Sequence, residues 1–293
     1  MTIELQEIEN LGARQPAISH HYNVGNDFYE LWLDPTMSYS CARWEDGDDL
    51  ERAQIRKLDY HIDEARVEPG HRVLDIGCGW GGMISRMVRN RGAAHATGLT
   101  LSSEQGQYIR DRYQKNEGLK TLEVHVESWT DHVASGAYDA IVSVGAFEHF
   151  ARLGLSKAQK IQAYRAFFER CHAWLKPGTS MSLQTCGYGL MAPGSGLDFI
   201  YHDIFPETEL PLVEEVVEAA QGLFELRALR NDREDYVKTL NAWFINFRKN
   251  KAKVLEVGSP ELFHRYEHYL GFCAIGFKKR NLLLHRYSFD RLD

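Results

Sequence analysis

Residues Arg72 to Met83 read RVLDIGCGWGGM. Gly77, Gly79, Gly81 and Gly82 crowd together directly after an apolar run, the pattern of a buried strand turning sharply into a helix. A phosphate-binding loop would place Lys and Ser/Thr after its last glycine, and Met83 follows here instead. A dinucleotide fingerprint spaces its glycines GxGxxG, whereas this turn reads GxGxGG. It also carries an acid, Asp75, two places before the first glycine. Glycines without Cβ atoms let the backbone wrap a ligand, and a nearby carboxylate suits an ammonium group.

Outward from this turn, strand-like and helix-like segments alternate. HRVLDIG predicts the first strand and GGMISRMVRNRG a helix closed by Gly92. AHATGLTL, LEVHVES, YDAIVSVGAF and SMSLQT (Ser180 to Thr185) predict further strands, and SSEQGQYIRDRYQKNEG a helix between the second and third. LLLHRYSF near the end predicts one more strand. The alternation implies an α/β fold: a Rossmann-like, doubly wound, mostly parallel sheet with helices on both faces. Residues 1–68 read as an N-terminal helical segment closing the site. NDFYELWLD (Asn26 to Asp34) predicts a helix stopped by Pro35, and DDLERAQIRKLDYHIDEARV (Asp48 to Val67) an amphipathic one. Residues 69–293 form the main domain, with a mostly helical insertion over about 190–250.

The 293 residues are 44% hydrophobic and 26% charged, as expected of one large globular domain with a helical cover. No run of about 18 uncharged apolar residues predicts a spanning helix, and the N-terminus lacks a signal-peptide core, so a cytoplasmic protein is expected. A net charge of −7 argues against a broad nucleic-acid surface. The basic stretches FRKNKAK and GFKKRN read as solvated helix faces, or else as docking for an acidic carrier or an anionic head group. The scattered Cys41, Cys78, Cys171, Cys186 and Cys273 read as reduced thiols. The adjacent His20 and His21 do not make a metal site, and no metal is expected.

Acid-x-Gly-x-Gly-x-Gly after the first strand resembles the S-adenosylmethionine-binding motif of class I methyltransferases. HHYNVGNDFYELWLDPTMSYSCARW, VLDIGCGWGG, GLTLSSEQ and VGAFEHF together resemble the cyclopropane-fatty-acid-synthase-like methyltransferases, which include the mycolic acid cyclopropane synthases. The resemblance runs from about His20 to the C-terminus. It implies that Tyr39, Ser40, Asp75, Gly77 and Gly79 bind the cofactor, with Thr100 and Gln105 at its ribose and carboxylate end and Trp129 beside adenine. Thr130 stands where the family often has an acid.

The same resemblance places Glu148 beside the reacting centre, and implies a bicarbonate held by Cys41, Glu148 and Tyr236. The family's histidine in that set is Gln184 here, and its aliphatic neighbour is Cys186. Glutamine donates a hydrogen bond but does not titrate near neutral pH. His149 reads as a structural partner. Phe147, Tyr188, Phe199, Tyr201, Phe205 and Trp243 read as core or pocket lining.

The leading expectation is a methyltransferase acting on a carbon–carbon double bond of an unsaturated acyl or isoprenoid-like chain, giving a methylated or cyclopropanated product. The larger lipid synthases of the group carry an extra N-terminal domain, so a carrier-bound or freely diffusing acceptor is expected. A natural-product tailoring enzyme acting on nitrogen, oxygen or activated carbon is the alternative. A non-catalytic subunit with this fold would be expected to lose Asp75, Gly77, Gly79, Gln105 or Glu148, all of which are present. A homo-oligomer is compatible with the sequence.

Overall fold

Five parallel strands, β1 (Arg72–Ile76), β2 (His95–Thr100), β3 (Leu122–Val126), β4 (Tyr138–Val144) and β5 (Leu175–Tyr188), pair in the order β3-β2-β1-β4-β5. An antiparallel pair, β6 (Phe224–Asn231) and β7 (Leu282–Arg291), extends the sheet as β5-β7-β6. The computed structural model describes Gly12, residues 24–193, Ile204 and residues 208–293. His20, His21, Phe199, Tyr201 and Phe205 lie outside the described residues. Strand order reverses between β1 and β4, and the carboxyl ends of such strands open the crevice where ligands of doubly wound sheets bind.

Local signals explain the elements around that crevice. β1 is buried from Val73 to Ile76, so its apolar run covers both faces. The next helix, α3 (Gly82–Arg91), is entered through Gly81 at φ 83° and left through Gly92 at φ 68°, left-handed positions that favour glycine. Ahead of the sheet lie a single-turn α1 (Asn26–Glu30) and α2 (Leu50–Glu64), whose N-cap Asp49 accepts from Arg52 N–H. After β2 comes α4 (Ser103–Ile109), capped by Ser102. A Ser156/Gln159 capping box starts α5 (Lys157–Trp174). The cover contains α6 (Val213–Ala220), α7 (Arg233–Lys249), α8 (Lys251–Val257) and α9 (Pro260–Lys278).

Three expectations need correction. The insertion over 190–250 contains a strand as well as helices: among its described residues α6 and α7 are helical, and β6 runs between them as an edge strand paired with β7. Its charged residues Glu225, Arg227 and Arg230 imitate the polar face of a helix. The helix after β2 leaves α geometry at Ile109 and continues as a π-helix over Arg110–Asn116. The first helix ends at Glu30, well before Pro35, where the Leu31 and Trp32 N–H groups turn back onto Tyr29 O in contacts tighter than the α-helical one.

Three apolar clusters result: one packs α2 and α3 on the sheet through Leu58, Ile62, Val73, Ile84 and Met87, and two others frame the site. One packs α5 on the sheet through Phe147, Phe167, Phe168 and Phe289. The other joins the N-terminal segment to α7 and α9 through Phe28, Tyr29, Trp32, Trp80, Trp243, Phe247 and Tyr266. Its rings meet mostly edge to face, as with Trp32 and Trp243 at 5.8 Å and 77°. This second layer roofs the glycine turn.

Candidate active site

A cavity of about 490 Å³ opens at the carboxyl ends of β1, β2 and β4. Tyr39, Ser40, Asp75, Gly77, Gly79, Thr100, Gln105 and Trp129, drawn from four separate stretches of chain, all line it. Two glycines are required by close packing. A Cβ on Gly77 would sit 2.4 Å from Ala146 Cβ, at a φ of 82°, and one on Gly82 would sit 2.6 Å from Thr36 O. Gly79 differs: it lines the cavity, and a Cβ there would meet no protein atom within 4 Å. The backbone at Gly79 therefore borders free volume that a ligand can fill.

The N-terminal segment is fastened over this turn by Asp34. Its carboxylate accepts from Thr36 N at 2.9 Å, Thr36 Oγ1 at 2.5 Å and Ser38 N at 3.1 Å. Helix α2 holds the same segment from below. Gln54 Nε2 donates to Ser40 O at 2.9 Å, and Lys57 Nζ donates to Ser40 Oγ at 3.0 Å. Tyr39 OH donates to Tyr269 OH at 3.1 Å, tying the segment to α9.

Charge inside the cavity is sparse. Burial pushes the Asp75 carboxyl up to about 7, opposed by the positive charge of Lys57. Burial also pulls Lys57 down to about 8, opposed mainly by Asp34. At the other end, Glu127 faces His132 Nδ1 at 2.7 Å, and the Trp129 ring packs on Phe150 and Phe167. Thr130 turns its hydroxyl onto Ser128 Oγ at 2.8 Å and its carbonyl onto Arg170, so it does not replace the missing acid. Thr100 Oγ1 donates to Gln105 Oε1 at 2.7 Å, fixing the amide orientation.

Glu148 lies on a 3₁₀ turn (Phe147–His149) after β4 and is buried, not an exposed cap. Its Oε1 accepts from Cys186 N at 2.6 Å, and its Oε2 is buried without a hydrogen-bond partner. Burial raises its pKa, and the Cys186 N–H is the main opposing effect. Cys186 contacts it directly, and Cys41 and Tyr236 lie toward Cys186. Burial raises the Cys186 thiol well above its usual range, followed by the charge of Glu148 and then by Cys41. Burial likewise raises Tyr236, followed by Cys186 and Cys41, and pushes Cys41 up to about 12. These shifts favour the protonated form of all three near neutral pH.

Gln184 belongs elsewhere. It pairs across the sheet with Arg286, whose Nε donates to Gln184 Oε1 at 2.8 Å. Arg286 only donates, so that atom is the amide oxygen, and His61 Nε2, 3.2 Å from it, carries the imidazole proton. His61 Nδ1 then accepts from Ser182 Oγ at 2.8 Å. Burial, reinforced by Arg286, holds His61 neutral. The remaining Arg286 donors reach Asp232, Cys41 O and Ala42 O. Gln184 is thus tied into a β5–β7–α2 brace that also reaches Cys41, whose carbonyl and thiol both accept from Arg286, while Glu148 meets Cys186 and Tyr236 lies toward Cys186 and Cys41.

Sequence reasoning missed Gln54, Lys57 and His61, all buried on α2. The signal was their shared helical face with Leu58, Ile62 and Ala65, where an apolar stripe is interrupted by polar residues. It also missed Arg286, whose partners Asp232 and Cys41 are far away in sequence. His149 lines the cavity and bonds Thr208 Oγ1 at 2.9 Å, in keeping with a structural partner.

The model of the mycolic acid cyclopropane synthetase family matches residues 10–287. The S-adenosylmethionine-dependent methyltransferase UmaA of Mycobacterium tuberculosis is 35% identical over 272 residues, covering 88% of this chain and 91% of its own. The cyclopropane-fatty-acyl-phospholipid synthase of Escherichia coli is 34% identical, covering 92% of this chain and 66% of its own. The crystal structure of mycolic acid cyclopropane synthase CmaA1 complexed with SAH and CTAB superposes with a TM-score of 0.85 at 31% identity, covering 96% of this chain and 100% of that one. No helix among the described residues is long and apolar enough to cross a membrane, and no group of three or more candidate metal ligands occurs among them.

Proposed function

We propose, from the premise that the chain belongs to the mycolic acid cyclopropane synthetase family and is an S-adenosylmethionine-dependent methyltransferase, that its acceptor is a carbon–carbon double bond in an unsaturated acyl or isoprenoid-like chain. The observation that carries this reading is Glu148, a buried carboxyl with one oxygen pinned by Cys186 N–H and the other unpartnered, amid protonated thiols and tyrosines. When bound, S-adenosylmethionine supplies an electrophilic methyl group on a sulfonium. The chain supplies the surroundings. Asp75, Lys57 and the glycine turn hold the methionine end, and Trp129 packs beside the base.

Methylation of an alkene leaves positive charge on the neighbouring acceptor carbon, and a proton must then leave either the transferred methyl group, closing a cyclopropane, or a carbon adjacent to the cation, giving a methylated alkene. Glu148 is placed to stabilise that charge and accept the proton. Tyr236, backed by the buried Trp243 ring at 6.1 Å and 85°, adds an aromatic face toward Cys186. The thiols of Cys41 and Cys186 stay protonated and do not compete as nucleophiles. We assign the acceptor-facing surface to the cover, with α7 contributing both aromatic residues.

Bicarbonate does not fit these residues. The Cys41 thiol already donates to Ala42 O at 3.1 Å, the Cys186 N–H is held by Glu148, and Gln184 is engaged by Arg286 and His61. An anion there would face the Glu148 carboxylate, and the Arg286 guanidinium beside the Cys41 thiol is already engaged by Asp232, Gln184 and the Cys41 and Ala42 carbonyls. We therefore route no step through it.

The test is mass spectrometry of purified protein incubated with S-adenosylmethionine and unsaturated acyl-carrier conjugates, free isoprenoids or heterocyclic amines, with and without bicarbonate. This reading expects one methylene added to an alkene acceptor, independent of bicarbonate, with NMR separating methyl from cyclopropane products. Addition only to amines or phenols would replace it with the tailoring reaction.

A further inference from the structure

The helical cover carries a second concave surface, which shares no lining residue with the cofactor cavity. The inward stripe of α7 is Leu240, Trp243 and Phe247, and that of α9 is Tyr266, Cys273 and Phe277. The neighbouring stripes leave a groove of about 640 Å³ between the two helices. Its floor is apolar: Val237 and Phe244 from α7, and Leu270, Ala274 and the 61% exposed Ile275 from α9. Gly271 lines it without a side chain, and a Cβ there would meet Phe244 Cε2 at 3.9 Å, an ordinary contact. The volume falls within the roughly 300–1,000 Å³ of small-molecule sites.

Charge is confined to one end of the groove. Arg233, Glu234, Lys278 and Arg280 are its charged lining residues, three cations against one acid. They come together because Arg233 Nη1 donates to Phe277 O at 2.8 Å, setting the start of α7 beside the end of α9. Arg233 and Glu234 pair at 2.8 Å, whereas Lys278 and Arg280 are exposed and form no ion pair among the described residues. A lysine in the last turn of a helix suits its dipole and needs no ligand. Arg280 is different.

Beyond α9, Arg280 N donates to Phe277 O at 3.1 Å and Asn281 N to Gly276 O at 3.0 Å, the paired bonds of a Schellman cap, with Arg280 at φ 63°. Glycine takes that left-handed position without steric cost, and a residue with a Cβ takes it under strain. The end of β5 fixes the turn: Leu190 N donates to Arg280 O at 2.8 Å, and that carbonyl leaves no room for a Cβ at Gly189. Glycine would serve the cap better, so what arginine adds is its side chain at the mouth of the groove.

An amphipathic helix laid in a groove is read by anchors along its length. An apolar trough with cations at one end fits a head and a tail instead. We propose that the α7–α9 groove binds a single-chain anionic amphiphile, its acyl tail along Val237, Phe244, Leu270 and Ala274 and its anionic head on Lys278 and Arg280. A net charge of −7 gives the whole chain no attraction to an anionic surface, so the contact is local. A fatty carboxylate and the phosphate of a lysophospholipid present the same chemistry to it.

Calorimetry below the micelle threshold tests this with three ligands of one tail length: sodium myristate, 1-myristoyl lysophosphatidate and myristyltrimethylammonium. Wild-type protein should bind at least one of the anions, and the cation at least ~10-fold more weakly. Which anion binds tells the fatty-acid source from the lipid head group, and either supports the site. Two variants keep the fold. Gly271→Leu puts a side chain into the groove and raises helix propensity, and Arg280→Gly relieves the left-handed turn. Gly271→Leu should weaken anion binding at least ~10-fold, and Arg280→Gly by roughly 3- to 10-fold, the size of one lost charged contact. Equal affinity for the cation, no binding of either anion, or anion affinities that neither variant changes would overturn the proposal. So would a wild-type dimer that Gly271→Leu converts to a monomer, because the groove would then belong to a second copy of the chain.

Discussion

The cofactor cavity and the Glu148 neighbourhood lie at the same sheet edge but are built differently. The cavity is assembled from short contiguous motifs, each supplying a turn, a cap or a strand end. The Glu148 group is assembled from side chains brought together by folding: Cys41 from the N-terminal segment, Cys186 from β5 and Tyr236 from α7. The first region places opposite charges, Lys57 and Asp75, around a tail of fixed chemistry. The second surrounds one carboxyl with neutral groups. Binding and chemistry should therefore separate under mutation.

The largest effect is expected at Gly77. A valine there combines a φ of 82° with a Cβ 2.4 Å from Ala146 Cβ, and must displace either the turn or the start of the 3₁₀ segment. Gly77→Val should abolish detectable S-adenosylhomocysteine binding by calorimetry. Retained affinity would mean that the turn does not shape the cavity.

Asp75→Asn sharpens the comparison. The asparagine keeps the shape and removes a carboxyl that burial holds near 7. Cofactor affinity needs the charged form, so in the wild type it should weaken as pH falls through about 7, with Lys57 and Cys78 the titratable groups facing Asp75. The folding sign is opposite. A carboxyl raised from 3.8 is more easily protonated when folded, so its contribution improves as pH falls from about 7 toward 3.8. At pH 8 the variant should bind at least ~10-fold more weakly, yet its cofactor-free form should be more stable by roughly 1–2 kcal/mol. Thermal melting and calorimetry on one preparation check both halves.

These two regions were unequally legible in the sequence. The glycine turn and the alternation of strands and helices are local signals, so the sheet and its ligand-binding edge could be placed from the chain itself, while the other cofactor-site residues were placed by the family resemblance. β6 was not legible, because an edge strand bearing Glu225, Arg227 and Arg230 carries no buried apolar run. Gln184 was assigned by position along β5, but its environment is set by Arg286 opposite and His61 above, which are remote in sequence. Lys57 was hidden because a buried lysine on an amphipathic helix looks like a solvated one until its surroundings are known.

The smallest effect on turnover follows from that brace. Gln184→His replaces an amide oxygen that accepts from Arg286 and His61 with a ring beside both donors. It should destabilise the fold by about 1–3 kcal/mol, the cost of an unsatisfied buried donor, without creating bicarbonate dependence. A variant of unchanged stability that acquires bicarbonate-dependent turnover would place Gln184 back among the reacting groups.

The division of labour is tested most directly by Glu148→Gln, measuring S-adenosylhomocysteine affinity and single-turnover methyl transfer on one preparation. The expected result is unchanged affinity with a rate at least ~10²-fold lower, because a general base and its charge are removed while the cavity is untouched. Near-normal turnover, or a loss confined to cofactor affinity, would contradict the assignment of Glu148 to the chemistry.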